Sequence, residues 1–368
     1  LRRIVLFLTL LGVIWRKHVE LDFLNYREAA PTFHPFEWIP ETRDINPWPA
    51  ITNTKWCHSK GATPGLIYVK VPKTGSSTLV GINIRIARKI GMRKSVILPW
   101  FPWARPQPCS CTQRHGRSEL LGRQEPFLLW SFLRDPATRG LSEFYHFEVS
   151  RKGRYSSDMW ARIFLNSRKN YQFEYLANHP NPKSLLEPNF PNPNITVDII
   201  QRYILQPYHF IGLLERKLES LAVMKLLWGL QSSDLIVLDS KKSGGYDDGR
   251  FNGTCVFIQS PPKPLSEYLQ SYLDEKFPQG NIDYRMYDMV NQTLDKTIQS
   301  LGVHEVNVEV EKLKSLQWLA EQRCQHKAIF PCSVNGTLQW DAASKNCYYT
   351  DSGCGFACVD EVLSNLVT

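Results

Sequence analysis

At 368 residues, with 43% hydrophobic and 12% aromatic residues, the chain has the material for a substantial core. Its net charge of +9 suits an anionic partner such as a sulfated or uronate polysaccharide, a nucleotide, nucleic acid or membrane headgroups, and charge alone does not choose among them. The chain has no arginine-rich run with interleaved aromatics, which argues against nucleic acid, and no internal repeat that would mark a solenoid.

The chain opens with Arg2-Arg3, an apolar run from Ile4 to Trp15 and then Arg16-Lys17. An apolar run flanked by positive charge reads as a type II signal anchor over residues 1–17, with room for more of the run ahead of Leu1. A cleaved signal peptide is the alternative. Residues 18–60 are rich in Pro, Trp and His with little periodicity, which predicts a stem or a segment draped over the domain.

A domain expected over 61–323 begins with the apolar stretch Leu66-Ile-Tyr-Val-Lys-Val71, which reads as a buried strand. Pro72-Lys-Thr-Gly-Ser-Ser-Thr78 then makes a turn, and an amphipathic helix follows. A turn at the carboxyl end of a strand is where open α/β sheets bind ligands. Gly75 lets the backbone approach an anion, and Ser76, Ser77 and Thr78 offer hydroxyls. The helix start presents N–H groups and a positive dipole end, and Lys73 adds a mobile charge. These features favour a phosphate or sulfate group. The lysine precedes the glycine, so this is not a Walker A loop.

Residues 91–126 carry Trp100, Trp103, Cys109, Cys111 and His115 in a Pro-rich stretch without clear periodicity, expected to be a loop that meets an acceptor. Phe127-Leu-Leu-Trp-Ser-Phe-Leu133 then predicts a second buried strand, followed by a helix from Ala137 to Val149. Asp135 suits its N-cap and Pro136 its first position. Arg134 falls at the strand end and Ser142 about two turns into the helix, so both can face one phosphate.

Together, Pro72-Lys-Thr-Gly-Ser-Ser-Thr78 and Arg134-Asp-Pro-x-x-Arg-x-x-Ser142-x-x-Tyr145 resemble the two nucleotide motifs of sulfotransferases that use 3′-phosphoadenosine-5′-phosphosulfate. The resemblance is to the Golgi carbohydrate group that includes the heparan sulfate 2-O- and galactose 3-O-enzymes. It covers roughly residues 61–240, including the family-like Phe210-Ile-Gly-Leu-Leu-Glu215. It implies that Lys73, Thr74, Gly75, Ser76, Ser77 and Thr78 hold the 5′-phosphosulfate, with Lys73 at the bridging oxygen, and that Arg134 and Ser142 hold the 3′-phosphate. It also implies a general base from the region between the motifs, which by position is His115, although the His-x-His spacing of that group is missing. Glu119, Glu143 and His146 are the other candidates for the base, the last two expected to neighbour each other on a helix at i,i+3 spacing.

Beyond Val149 the pattern predicts a polar, Tyr-rich helical region to about 177 and a Pro/Asn-rich loop over 178–194. A helix over 197–205, a strand over 209–214, a helix over 215–230 and a short strand over 234–238 follow. Repeated βα units predict a mainly parallel sheet. The Gly- and Pro-rich stretch 240–264 reads as a lid or insertion loop. Residues 265–323 carry two or three helices whose stripes, Tyr287, Val290, Leu294, Ile298 and Leu301 and then Leu313, Leu316 and Leu319, read as packing faces.

The tail, 324–368, is Cys-rich: five of the nine cysteines, at 324, 332, 347, 354 and 358, lie there. The tail lacks a long apolar segment, so staples are expected, with zinc on Cys354, Cys358 and Cys347 or His326 as the competing reading. Four sequons, at Asn194, Asn252, Asn291 and Asn335, favour a glycosylated luminal chain over zinc. The expectation is therefore an α/β protein with a three-layer, P-loop-like domain and a central mainly parallel sheet. It would be a Golgi-luminal sulfotransferase with a glycan or polysaccharide acceptor, a membrane anchor and no metal. A P-loop-like kinase and a non-catalytic polyanion-binding secretory protein are the alternatives.

Overall fold

The computed structural model describes residues 66–94, 111–114, 128–186, 193–239, 244–247, 254–328, 332–339 and 355–364, together with Trp38 and Phe330. The first apolar run forms β1, Leu66–Val69, buried along its whole length, and the amphipathic run after the turn forms α1, Ser76–Lys94. A strand that the sequence pattern does not predict, β2, Cys111–Arg114, follows within the stretch expected to be a loop. Its polar sequence, Cys-Thr-Gln-Arg, carries no apolar alternation, and among the described strands it is the outermost on its side of the sheet. The second apolar run is β3, Leu128–Leu133, again wholly buried.

After β3 the chain turns into α2, Pro136–Glu143. The single helix expected to Val149 changes its winding here, continuing as a π-helical segment over Phe144–Arg151. Two shorter helices follow, α3, Asp158–Asn166, and α4, Tyr171–Leu176, and then α5, Pro193–Ile200. The strand expected over 209–214 is β4, Phe210–Leu213, and the helix expected after it is α6, Lys217–Trp228. The four strands pair in parallel in the order β2-β1-β3-β4, so the chain is an α/β protein with a parallel sheet. All three strands whose side chains are described are buried, as a parallel sheet covered by helices requires.

Residues 235–238, within the stretch 234–238 expected to form a further strand, are buried but pair with no strand among the described residues; a tight helical turn at Ser232–Asp234 precedes them. Their apolar run serves packing, which a periodicity argument cannot separate from sheet pairing. Within the stretch expected to be a lid, a small antiparallel ribbon forms from β5, Tyr246–Asp247, and β6, Val256–Phe257. Next come α7, Glu267–Ser271, and the long pair α8, Ile282–Leu301, and α9, Val303–Cys324. Val290, Leu294, Ile298 and Leu313 are buried in the main core, so these stripes are packing faces.

The last helix, α10, Phe356–Ser364, is bound to the body in three ways. Val359 and Leu363 enter the core, Arg85 of α1 pairs with Asp360 at 2.7 Å, and a disulfide joins Cys324 to Cys358. A second disulfide, Cys255–Cys332, ties the ribbon to the tail. The expected anchor over 1–17 lies outside the described residues; of the expected stem, Trp38 alone is described, buried against Phe210 and donating its backbone N–H to Thr297 Oγ1. Among the described residues no helix is long and apolar enough to cross a membrane.

Candidate functional site

The turn after β1 is shaped by backbone conformations that few residues adopt. Lys73 has φ 69° and Gly75 φ 71°, both in the left-handed region, where a non-glycine residue is strained. Strain of this kind persists where surrounding structure fixes it. Here Thr74, fully buried, donates its hydroxyl to the Val71 carbonyl at 2.9 Å. A side chain at Gly75 would meet Leu214 Cδ1 at 2.6 Å, so the loop lies tight against the end of β4. Leu79 N donates to Gly75 O at 3.2 Å, the first bond of α1, so Ser76, Ser77 and Thr78 form the helix's first turn, whose N–H groups have no acceptor within the helix. Ser76 is buried, and Ser77 and Thr78 are half-buried.

The second motif lies on the neighbouring strand. Arg134, just past β3, donates from Nη1 to the Lys73 carbonyl at 3.2 Å, so the two motifs meet at the carboxyl ends of adjacent strands. Its backbone is clamped by the buried Gln172 of α4. Arg134 N donates to Gln172 Oε1 at 3.0 Å, and Gln172 Nε2 donates back to Arg134 O at 2.8 Å. Asp283 in the first turn of α8 in turn accepts from the backbone N–H groups of Gln172 and Phe173, at 3.0 and 2.8 Å. Burial pushes the Asp283 carboxyl up to about 6 against the pull of those two hydrogen bonds.

Burial also lowers the Arg134 guanidinium from its usual value, while Glu215 and Asp135 draw it back up. Glu215 Oε1 stands 3.9 Å from Arg134 Nε and accepts the Asp135 N–H at 3.1 Å, and Tyr287 Oη donates to Oε2 at 3.0 Å. Asp135 caps α2 as expected, taking bonds from Thr138 N at 2.8 Å and Thr138 Oγ1 at 2.6 Å, with Pro136 at the first helical position. A cavity of about 410 Å³ opens beside this cap, lined by Asp135, Thr138, Leu141, Gln270, Asp274 and Tyr284 among others.

Ser142 is half-buried near the end of α2, and no hydrogen bond joins it to Arg134. Glu143 closes α2 and His146 lies in the π-helical segment that follows, so the two do not share one α-helix as expected. Both are buried, and the change of winding at Phe144 breaks the i,i+3 phase. Glu143 is held by Arg139 at 2.7 Å and Arg168 at 3.3 Å, while His146 Nε2 accepts from Arg151 Nε at 3.1 Å, 3.7 Å from Asp247. His115 and Glu119 lie outside the described residues. The sequence did not single out Gln172 and Asp283 and read Tyr287 only as part of a packing stripe, because each looks like an ordinary helix residue and reaches the site only through packing. Among the described residues no group of three or more His, Cys, Asp or Glu is placed to hold a metal ion.

Comparison with protein-family models, with curated proteins and with solved structures finds no match to this chain.

Proposed function

We propose that this chain is a sulfotransferase of P-loop-like, three-layer architecture that moves a sulfuryl group from 3′-phosphoadenosine-5′-phosphosulfate to a carbohydrate hydroxyl in the Golgi lumen. The observation that carries the reading is the Arg134–Lys73 contact, which unites the two motifs at one end of the sheet. Two cations of separate strands, a strained turn and a helix start gathered there fit a ligand with two separated anionic groups.

In this reading Lys73 and residues 74–78 hold the 5′-end of the nucleotide, and Arg134 with Ser142 holds the 3′-phosphate. The donor supplies an activated sulfuryl group on a phosphosulfate. Lys73 places positive charge where the leaving oxygen gains negative charge, which lowers the barrier more than it strengthens binding. The acceptor's proton goes to a base from the region between the motifs, His115 or Glu119, since the engagement of Glu143 by two arginines gives it a structural role. The cavity beside Asp135, with two carboxylates, two hydroxyls and an amide on its wall, can accept hydrogen bonds from sugar hydroxyls. The two disulfides agree with a luminal setting.

The test is to incubate the purified full chain with radiolabelled sulfate donor and a panel of glycans. Label transferred to one glycan class is expected. No transfer to any member, together with no calorimetric binding of 3′-phosphoadenosine-5′-phosphate, would remove the proposal.

A further inference from the structure

We infer that Asn335 carries an asparagine-linked glycan, that the sequons at Asn291 and Asn194 do not, and that this glycan lies over the exposed aromatic pair Tyr246 and Phe257. Of the four sequons, Asn252 lies outside the described residues; the other three are alike in sequence, and their surroundings separate them. Asn291 sits inside α8, where its Oδ1 accepts from Arg216 Nη1 at 2.8 Å, and Thr293 of the same sequon is fully buried. A glycan at Asn291 would keep α8 from packing. In the sequon of Asn194 the chain is helical, in α5, and Thr196 is buried.

Asn335-Gly-Thr337 is built differently. Asn335 and Thr337 are exposed on a tight turn, closed by Gly336 N to Ser333 O at 3.1 Å and Ser333 N to Thr337 O at 2.9 Å. An exposed turn is the surface that a glycosylating enzyme needs. Gly336 has φ 77°, and a side chain there would meet ring carbons of Tyr246 at 2.6–2.9 Å, so that ring lies directly under the sequon. Tyr246 and Phe257 stack edge to face at 5.3 Å with 36% and 48% of their surface exposed. Their uncovered faces match the C–H face of a sugar ring, and the Cys255–Cys332 disulfide fixes the ribbon beside the turn.

In the attachment step a bond forms between Asn335 Nδ2 and the anomeric carbon of a lipid-pyrophosphate-linked oligosaccharide. The bond from that carbon to the pyrophosphate breaks, the pyrophosphate leaves with the electron pair, and Nδ2 gives up a proton.

The full chain, produced through the secretory pathway of a eukaryotic host, is deglycosylated enzymatically in heavy-oxygen water and mapped by mass spectrometry. Conversion of Asn335 to labelled Asp is expected, with Asn291 and Asn194 unlabelled. Unlabelled Asn335 in protein whose Cys255–Cys332 bridge maps intact, or label at Asn291 or Asn194, would overturn the assignment. The mapping needs no variant, so folding of a mutant does not enter it. For the cover, enzymatic removal of the glycan should lower the melting temperature more in the native protein than in Tyr246→Ser. An equal drop in both would overturn the contact with the aromatic pair.

Discussion

Lys73 combines a left-handed backbone with the charge assigned to the leaving oxygen, and the two can be separated by substitution. Lys73→Ala should lower kcat by about 10²–10³-fold while leaving nucleotide affinity nearly intact, because the developing charge exists only in the transition state. Lys73→Gly should lose the same rate yet gain stability, up to about 1–2 kcal/mol, since glycine adopts the left-handed region without strain. Steady-state kinetics beside urea denaturation checks both. A variant that binds nucleotide weakly at full kcat would make Lys73 an anchor only. Arg134→Ala should weaken 3′-phosphoadenosine-5′-phosphate by about 1.5–3 kcal/mol, the scale of a charge-assisted bond, and calorimetry on folded variant protein reads it directly. Asp283 sets a pH dependence behind the same site. Its carboxyl is pushed up to about 6 in the folded protein and titrates near 3.9 unfolded, so between those values the folded state holds the extra proton. The stability it contributes is full below about pH 4 and is lost as pH rises through about 6. Asp283→Asn should flatten that slope in denaturation series at pH 4 to 7, and an unchanged slope would place the titration elsewhere.

Among the elements, the fit of β3 against β4 depends on one small residue. Gly212 of β4 pairs with Phe132 of β3, and a Cβ there would meet the phenylalanine ring at 2.4–2.8 Å. Gly212→Ala should therefore cost about 1–3 kcal/mol by overpacking, read as a lowered urea midpoint with an unchanged slope. On α2 the buried Glu143 holds two arginines, and removing it leaves Arg139, almost wholly buried, without its partner. Glu143→Ala should destabilise by about 3–5 kcal/mol. Folded variant protein should keep its turnover per molecule, and loss of turnover at unchanged stability would return Glu143 to the candidates for the base.

Over the whole molecule, the two disulfides close loops of 77 and 34 residues. On chain entropy alone these correspond to about 4–5 and about 4 kcal/mol. Cys324–Cys358 should matter for α10, which it joins to α9, while Cys255–Cys332 should matter for the ribbon and the turn at Asn335. Non-reducing peptide mapping should recover both pairs, and free thiols at these four positions would contradict the pairing. Reduction should then expose α10 amides to hydrogen exchange before those of β1 and β3, since the sheet lies in the core and carries neither bridge.

The sequence by itself determined the strands β1, β3 and β4, because a strand buried on both faces must be apolar throughout and such runs stand out between turn residues. It also determined the Asp135 cap and the turn around Gly75, since capping and left-handed turns demand particular residue types a few positions apart. The tertiary structure decided what depends on partners far along the chain. The polar strand β2 exists through its pairing with β1, and residues 235–238, as apolar as any strand, pack without pairing to any strand among the described residues. The change to π winding at Phe144 sends Glu143 and His146 to different partners, which no helical spacing predicts. The clamp of Gln172 and Asp283 on Arg134 joins residues 38 and 111 positions apart, and only packing brings such groups within hydrogen-bond distance.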